Sequence, residues 1–195
     1  MSIFVRMWLE FVEFLRSVVA NYDSGELTIN GGTLHSESYV TIYNDGTVTI
    51  NNGTISVGDE CEYDVISNNN KLTVNDGTIS SESSVAIHNY SGGELTINGG
   101  KISSAAPKYI DDEGEPVDKM GTVTNTGGKT LILGGTIKPT SAQVGHSALW
   151  TNAQADISGG TISSINGFAI YADGGSVNIS QGNGELCEIS STSSV

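Results

Sequence analysis

The chain is short of the residues that staple a fold and of those that charge it positively: its 195 residues include 3 Pro, 2 Cys and 8 Lys and Arg together. Two cysteines do not make a disulfide framework, which takes four or more in a small secreted domain, so Cys61 and Cys187 read as free thiols. Eight cations against 22 carboxylates leave a net charge of -14, which argues against direct binding of nucleic acid, because a phosphate-gripping face needs a basic stripe. Long apolar runs are missing as well, so no membrane span is expected. Arg6, Glu10, Glu13 and Arg16 break up the first twenty residues, and no small-residue cleavage site follows them. A cytoplasmic location is the expectation, or an extracellular one if the chain is a piece of a surface protein. Aromatics make up only 7%, so the core is expected to be aliphatic, in a shape that needs few large side chains.

What the chain does contain is glycine, 25 of it, and the glycines recur. The motif Gly, Thr, branched aliphatic appears as Gly32-Thr33-Leu34, Gly53-Thr54-Ile55, Gly77-Thr78-Ile79, Gly135-Thr136-Ile137 and Gly160-Thr161-Ile162, with Gly100-Lys101-Ile102 a variant and Gly184-Glu185-Leu186 a degraded last copy. The spacings are 21, 24, 23, 35, 25 and 24 residues. An alternating segment precedes each motif, as in Leu27-Thr28-Ile29 and Val48-Thr49-Ile50, and a third follows it, as in Val40-Thr41-Ile42 and Val85-Ala86-Ile87. Three short strands per period, separated by Asn-Gly, Gly-Gly and Asp-Gly corners, predict an all-β fold, a parallel β-solenoid of about seven three-stranded coils.

Stacking coils at ~4.8 Å turns equivalent positions into ladders. Ile29, Ile50, Val74, Ile97, Ile132, Ile157 and Ile179 are expected to form one inward row. Leu34, Ile55, Ile79, Ile102, Ile137 and Ile162 form a second, and Ile42, Ile66, Ile87, Trp150 and Ile170 a third. Two corners predict amide ladders: Asn30, Asn51, Asn75 and Asn98, and Asn44, Asn68, Asn89, Asn125 and Asn152.

With these repeats over roughly residues 25–190, the chain resembles the right-handed parallel β-helix repeats of the pectate-lyase-like superfold, and especially the Gly-Gly-Thr-Ile-Ser repeats of bacterial surface and adhesin-like proteins. The resemblance implies the right-handed β-helix. It carries no activity with it, because that fold hosts enzymes, adhesins, fibres and decoys alike.

The first 22 residues are expected to be an N-terminal amphipathic capping helix, with 23–195 the β-helix domain and an acidic insertion at about 105–121. Ser2, Arg6, Glu10, Glu13 and Ser17 recur at helical spacing, leaving Phe4, Trp8, Phe11, Phe14, Leu15 and Val18 on an apolar face. Such a face covers the open end of a solenoid or joins two copies as a homo-oligomer.

No catalytic constellation emerges. The resemblance would call for an arginine on a coil, yet Arg6 and Arg16 both lie in the expected helix; the outward strand positions are mostly threonine. His35, His88 and His146 are scattered, and no Cys/His group has metal spacing, so no cofactor or metal is implied. The carboxylates are more telling. Glu37, the group Asp59, Glu60, Glu62 and Asp64, then Glu82, and the group Asp111, Asp112, Glu113, Glu115 and Asp118 all fall between the second and third strand of a coil. Stacking would align them along one edge. The leading functional expectation is a non-enzymatic interaction module, an acidic decoy or inhibitor of a basic, nucleic-acid-binding protein of the kind phages turn on host defences. The alternative is an adhesin-like or carbohydrate-binding surface repeat using Tyr43, His88 and Tyr171, and the third a polysaccharide lyase or hydrolase.

Overall fold

A strand of four residues cannot stabilise itself; it needs a neighbour on each edge and a buried face. The computed structural model describes residues 17–105, 120–140, 146–182 and 186–192, and there each short strand pairs in parallel with its equivalents in adjacent coils. Numbered in chain order, the first sheet stacks β1 (Ser17–Asn21), β4 (Val40–Asn44), β7 (Ile66–Asn68), β10 (Ile87–Asn89), β13 (Gly121–Asn125), β16 (Ser147–Thr151) and β19 (Ile170–Ala172). The second stacks β2 (Glu26–Ile29), β5 (Thr47–Ile50), β8 (Lys71–Val74), β11 (Glu94–Ile97), β14 (Lys129–Ile132), β17 (Gln154–Ile157) and β20 (Ser176–Ile179). The third stacks β3 (Thr33–Ser36), β6 (Thr54–Val57), β9 (Thr78–Ser81), β12 (Lys101–Ser104), β15 (Thr136–Pro139), β18 (Gly160–Ile165) and β21 (Cys187–Thr192). The chain visits the three sheets in rotation, as a right-handed parallel β-solenoid of about six turns.

The core is the aliphatic ladder the repeat predicts. Ile29, Ile50, Val74, Ile97, Ile132, Ile157 and Ile179 are in register, as are Leu34, Ile55, Ile79, Ile102, Ile137 and Ile162. Most are fully buried, each worth about 1.5–3 kcal/mol of transfer free energy. The third row departs from expectation at one coil. It reads Val19, Ile42, Ile66, Ile87, Val123, Leu149 and Ile170, so Leu149 and not Trp150 points inward.

The same one-residue offset corrects an asparagine ladder. Asn21, Asn44, Asn68, Asn89 and Asn125 are all buried, and each Nδ2 donates to the next Oδ1 at 2.7–2.9 Å. Asn125 then donates to Thr151 Oγ1 at 3.0 Å, so Thr151 and not Asn152 continues the column. Asn152 is exposed and accepts from the Gly127 amide instead. At the other corner Asn51, Asn75 and Asn98 donate to Asn30, Asn51 and Asn75 at 2.7–2.8 Å, on the surface.

Glycine is required at the corner before the third sheet, where Gly135 and Gly160 have φ of 84° and 85°. A Cβ on Gly135 would stand 2.8 Å from the Gly99 carbonyl carbon one coil away, so the stack and the turn both exclude a side chain there.

Of the helix expected over 1–22, residues 1–16 lie outside the described residues, with Phe4, Trp8, Phe11, Phe14 and Leu15 among them. Ser17–Asn21 is strand. It pairs with β4 from Ser17↔Val40 to Asn21↔Asn44, so the solenoid includes these residues, upstream of the expected boundary at 23. Val18 is therefore an exposed strand residue: the Val-Val pair favours a strand, and the Asn21 amide is captured by Asn44. Among the described residues there is no helix, and hence none long and apolar enough to cross a membrane.

Candidate functional site: the aromatic and acidic flank

With the interior filled by ladders, chemistry is confined to the outward rows and corners. On the second sheet the outward row Thr28, Thr49, Thr73 and Thr96 continues into Leu131, Asp156 and Asn178. On the third it is Thr33, Thr54, Thr78, Lys101, Thr136 and Thr161. Lys71, Glu94 and Lys129 share a register, but among the described residues the only ion pairs within 4.0 Å are His35 with Glu37 and His88 with Asp64.

The first sheet differs in kind. Its outward row is Ala20, Tyr43, Ser67, His88, Thr124, Trp150 and Tyr171. All eight described Phe, Trp and Tyr residues lie in this row or at the corners beside it: Tyr22, Tyr39, Tyr43, Tyr63, Tyr90, Trp150, Phe168 and Tyr171. They associate as Tyr22–Tyr43, Tyr39–Tyr63 and Phe168–Tyr171, with ring centroids 5.3–6.0 Å apart, and Tyr90 stacks on His88 at 3.8 Å. The four described lysines, Lys71, Lys101, Lys129 and Lys138, stand on the other two sheets. Burial, followed by the adjacent Asp45, pushes the Tyr43 phenol above its ordinary pKa.

The acidic connections border this face. Ser36, Val57 and Ser81 are in register at the ends of β3, β6 and β9, so Glu37, the 58–65 loop and Glu82 leave the third sheet at the same edge in successive coils. Glu37, Asp59, Glu60, Glu62 and Glu82 are exposed there. The loop is held from the next coil by Ser83 Oγ, which donates to the carbonyls of Gly58 and Cys61, and by Ser84 Oγ, which donates to that of Glu62. Asp111, Asp112, Glu113, Glu115 and Asp118 lie outside the described residues.

Asp64 behaves differently from its neighbours. It is turned onto the first sheet, where its Oδ2 meets Ser67 Oγ at 3.3 Å, Tyr90 OH at 3.2 Å and His88 Nδ1 at 3.3 Å. His88 Nε2 hydrogen-bonds Thr126 Oγ1 at 3.0 Å, while its Nδ1 stands within ion-pair distance of Asp64. These side chains, with Val40, Glu62, Tyr63, Ser84 and Met120, line a cleft of about 180 Å³. Thr126 does not line the cleft; the described lining brings carboxylate, hydroxyl, imidazole and aromatic side chains together.

Among the described residues no three His, Cys, Asp or Glu side chains converge as metal ligands. Cys61 and Cys187 are both free; Cys61 is buried, and burial first, with Asp64 and Glu62 adding, raises its thiol pKa. His146 is buried as well, with Nδ1 unpartnered and Nε2 3.4 Å from Ser104 Oγ, and burial lowers its pKa to about 4.

The third-strand register that the sequence proposed for Tyr43, His88 and Tyr171 is present, but the cleft itself was not legible. Tyr90 stands next to the ladder residue Asn89 and Tyr63 inside the acidic loop, and the only signal they gave was proximity to His88 and Asp64 in a stacked frame. Compared with family models, with curated proteins and with solved structures, the chain matches none.

Proposed function

We propose that the protein is a non-enzymatic interaction module whose working surface is the outer face of the first sheet with its acidic border, and that its partner is a basic protein. The observation that carries this reading is segregation: seven of the eight described aromatics, all but the buried Trp150, stand exposed or half-buried on one face, the described lysines stand on the others, and exposed carboxylates line the near edge. Tyrosine rings attract cations through their faces, and a carboxylate row steers a basic partner to them. A partner whose cations otherwise hold nucleic acid fits such a row, which makes the protein a decoy or inhibitor of the phage type.

A titration tests this. Binding of an oligoarginine peptide, and of a basic DNA-binding protein, is expected to weaken steeply with salt and to fall at least about tenfold when Asp59, Glu60 and Glu82 are changed to Lys. Unchanged affinity and salt dependence would sink the reading.

A second reading draws on the row Tyr43, His88 and Tyr171 and on the resemblance to the Gly-Gly-Thr-Ile-Ser repeats of surface proteins: a carbohydrate-binding face. It predicts binding of neutral oligosaccharides that ignores salt and is lost in Tyr43→Ala and Tyr171→Ala.

A further inference from the structure

Four Asn-Gly pairs fall within the described residues: Asn30-Gly31, Asn52-Gly53, Asn98-Gly99 and Asn166-Gly167. An asparagine before glycine is open to attack on its own side chain, because glycine has no Cβ to shield the amide nitrogen that follows. The four are alike in sequence and unlike in structure. Asn30 Oδ1 accepts from Asn51 Nδ2, and Asn98 Nδ2 donates to Asn75 Oδ1, both at 2.7 Å, so these two carboxamides are held in the exposed ladder. Asn166 has a left-handed φ of 61°, and a Cβ on Gly167 would collide with the His146 carbonyl, so packing sets that turn. Asn52 is exposed and stands outside the ladder. The Gly53 amide donates to Asn52 Oδ1 at 2.7 Å, which brings that nitrogen beside the carboxamide it would attack.

From this contrast we infer that Asn52 is a self-modifying site, deamidated through Gly53 and independent of the interaction surface. A base in solvent takes the Gly53 amide proton and the nitrogen attacks Asn52 Cγ. The N–Cγ bond forms, the Cγ–Nδ2 bond breaks, and Nδ2 leaves as ammonia. Water then opens the cyclic succinimide. Opening at Cγ leaves an ordinary aspartyl residue; opening at the main-chain carbonyl leaves an isoaspartyl residue, whose backbone is longer by a methylene. The ordinary product suits the corner: the Thr54↔Thr78 register places Asp76 at the same spot one coil on, where the Gly77 amide donates to Asp76 Oδ1 at 2.7 Å. It adds a negative charge beside Asp76. The isoaspartyl product does not suit it, because a Cβ on Gly77 would already stand 2.7 Å from the Gly53 carbonyl oxygen, and a longer backbone must open that stack. Asn30 and Asn98 must first give up a ladder hydrogen bond, which slows them about two- to tenfold relative to Asn52.

Ageing the protein tests this. The full chain is incubated at neutral and at mildly alkaline pH, peptide mass spectrometry locates each amide that has become an acid, and labelling by an isoaspartyl methyltransferase measures the isoaspartyl share. In the folded protein Asn52 is expected to convert about two- to tenfold faster than Asn30 and Asn98, and faster at the higher pH, where the amide nitrogen loses its proton more readily. In urea, where the contacts are gone, the three rates are expected to converge. Asn51→Ala frees Asn30 and Asn75→Ala frees Asn98, so each variant is expected to bring the released site toward the Asn52 rate. Equal rates at the three sites in the folded chain, an Asn52 that stays an amide, or a ranking that persists in urea would overturn the inference.

Discussion

Asn89 and Asn125 stand 36 residues apart in the chain, yet Asn89 Nδ2 donates to Asn125 Oδ1 at 2.9 Å because they occupy one corner of consecutive coils. The long interval between them leaves the ladder uninterrupted. From Asn44 to Asn125 each buried amide in this column both gives and receives, so deleting one strands the groups on either side.

Asn89→Ala is therefore expected to cost about 2–3 kcal/mol, since it leaves the buried Asn68 amide without its Oδ1 acceptor and Asn125 without its donor. Asn75→Ala interrupts the exposed ladder, where water replaces the lost bonds, and should cost under about 1 kcal/mol. Urea denaturation of the two variants compares them directly; equal losses would mean that burial does not distinguish the columns.

Gly32 and Gly135 separate two reasons for glycine at one corner. Both have positive φ, 88° and 84°, but a Cβ on Gly32 meets nothing within 4 Å, whereas one on Gly135 meets the Gly99 backbone. Gly32→Ala should lose about 1–2 kcal/mol from conformation alone, and Gly135→Ala about 3 kcal/mol or more because the stack must also open. Thermal unfolding followed by circular dichroism reads the difference.

His146 sets a pH dependence. Its folded pKa, about 4, is below the ordinary 6.5, so between those values the unfolded chain takes up a proton that the folded chain refuses. Above pH 6.5 both states hold a neutral ring and nothing changes. Stability should fall as pH drops from about 6.5 to about 4, by roughly 3 kcal/mol in all. Denaturation of wild type and His146→Gln at pH 7, 5.5 and 4.5 checks it: the difference in stability between them should shift toward the variant as pH falls. A constant difference would show that His146 titrates normally in the folded protein.

The solenoid was legible in the sequence because its determinants are local and repeated. Glycine at the left-handed corner, alternation of period two, and an isoleucine at the same phase of each period all leave marks that repetition amplifies. Register failed once, at coil six, and both errors there have one source. Aligning Asn152 with Asn125 slides β16 by one residue, and with a side-chain period of two that slip moves Trp150 to the inside and Leu149 to the outside. Thr151 takes the amide's place with a hydroxyl, a substitution that a search for asparagine passes over. The strand at Ser17–Asn21 escaped for a related reason: five residues with helical spacing behind them are redirected by a partner strand 23 residues later.

The candidate site divides along the same line. Period and phase alone placed the acidic connections on one edge and Tyr43, His88 and Tyr171 in one row, since stacking converts sequence phase into position. Only the tertiary structure turned Asp64 away from its acidic neighbours and gathered Ser67, Tyr90 and His88 around one of its oxygens, beside a cleft. Backbone periodicity fixes where a residue stands on a solenoid; where its side chain points is decided by the hydrogen bonds and rings it finds in adjacent coils, and those partners are scattered along the chain.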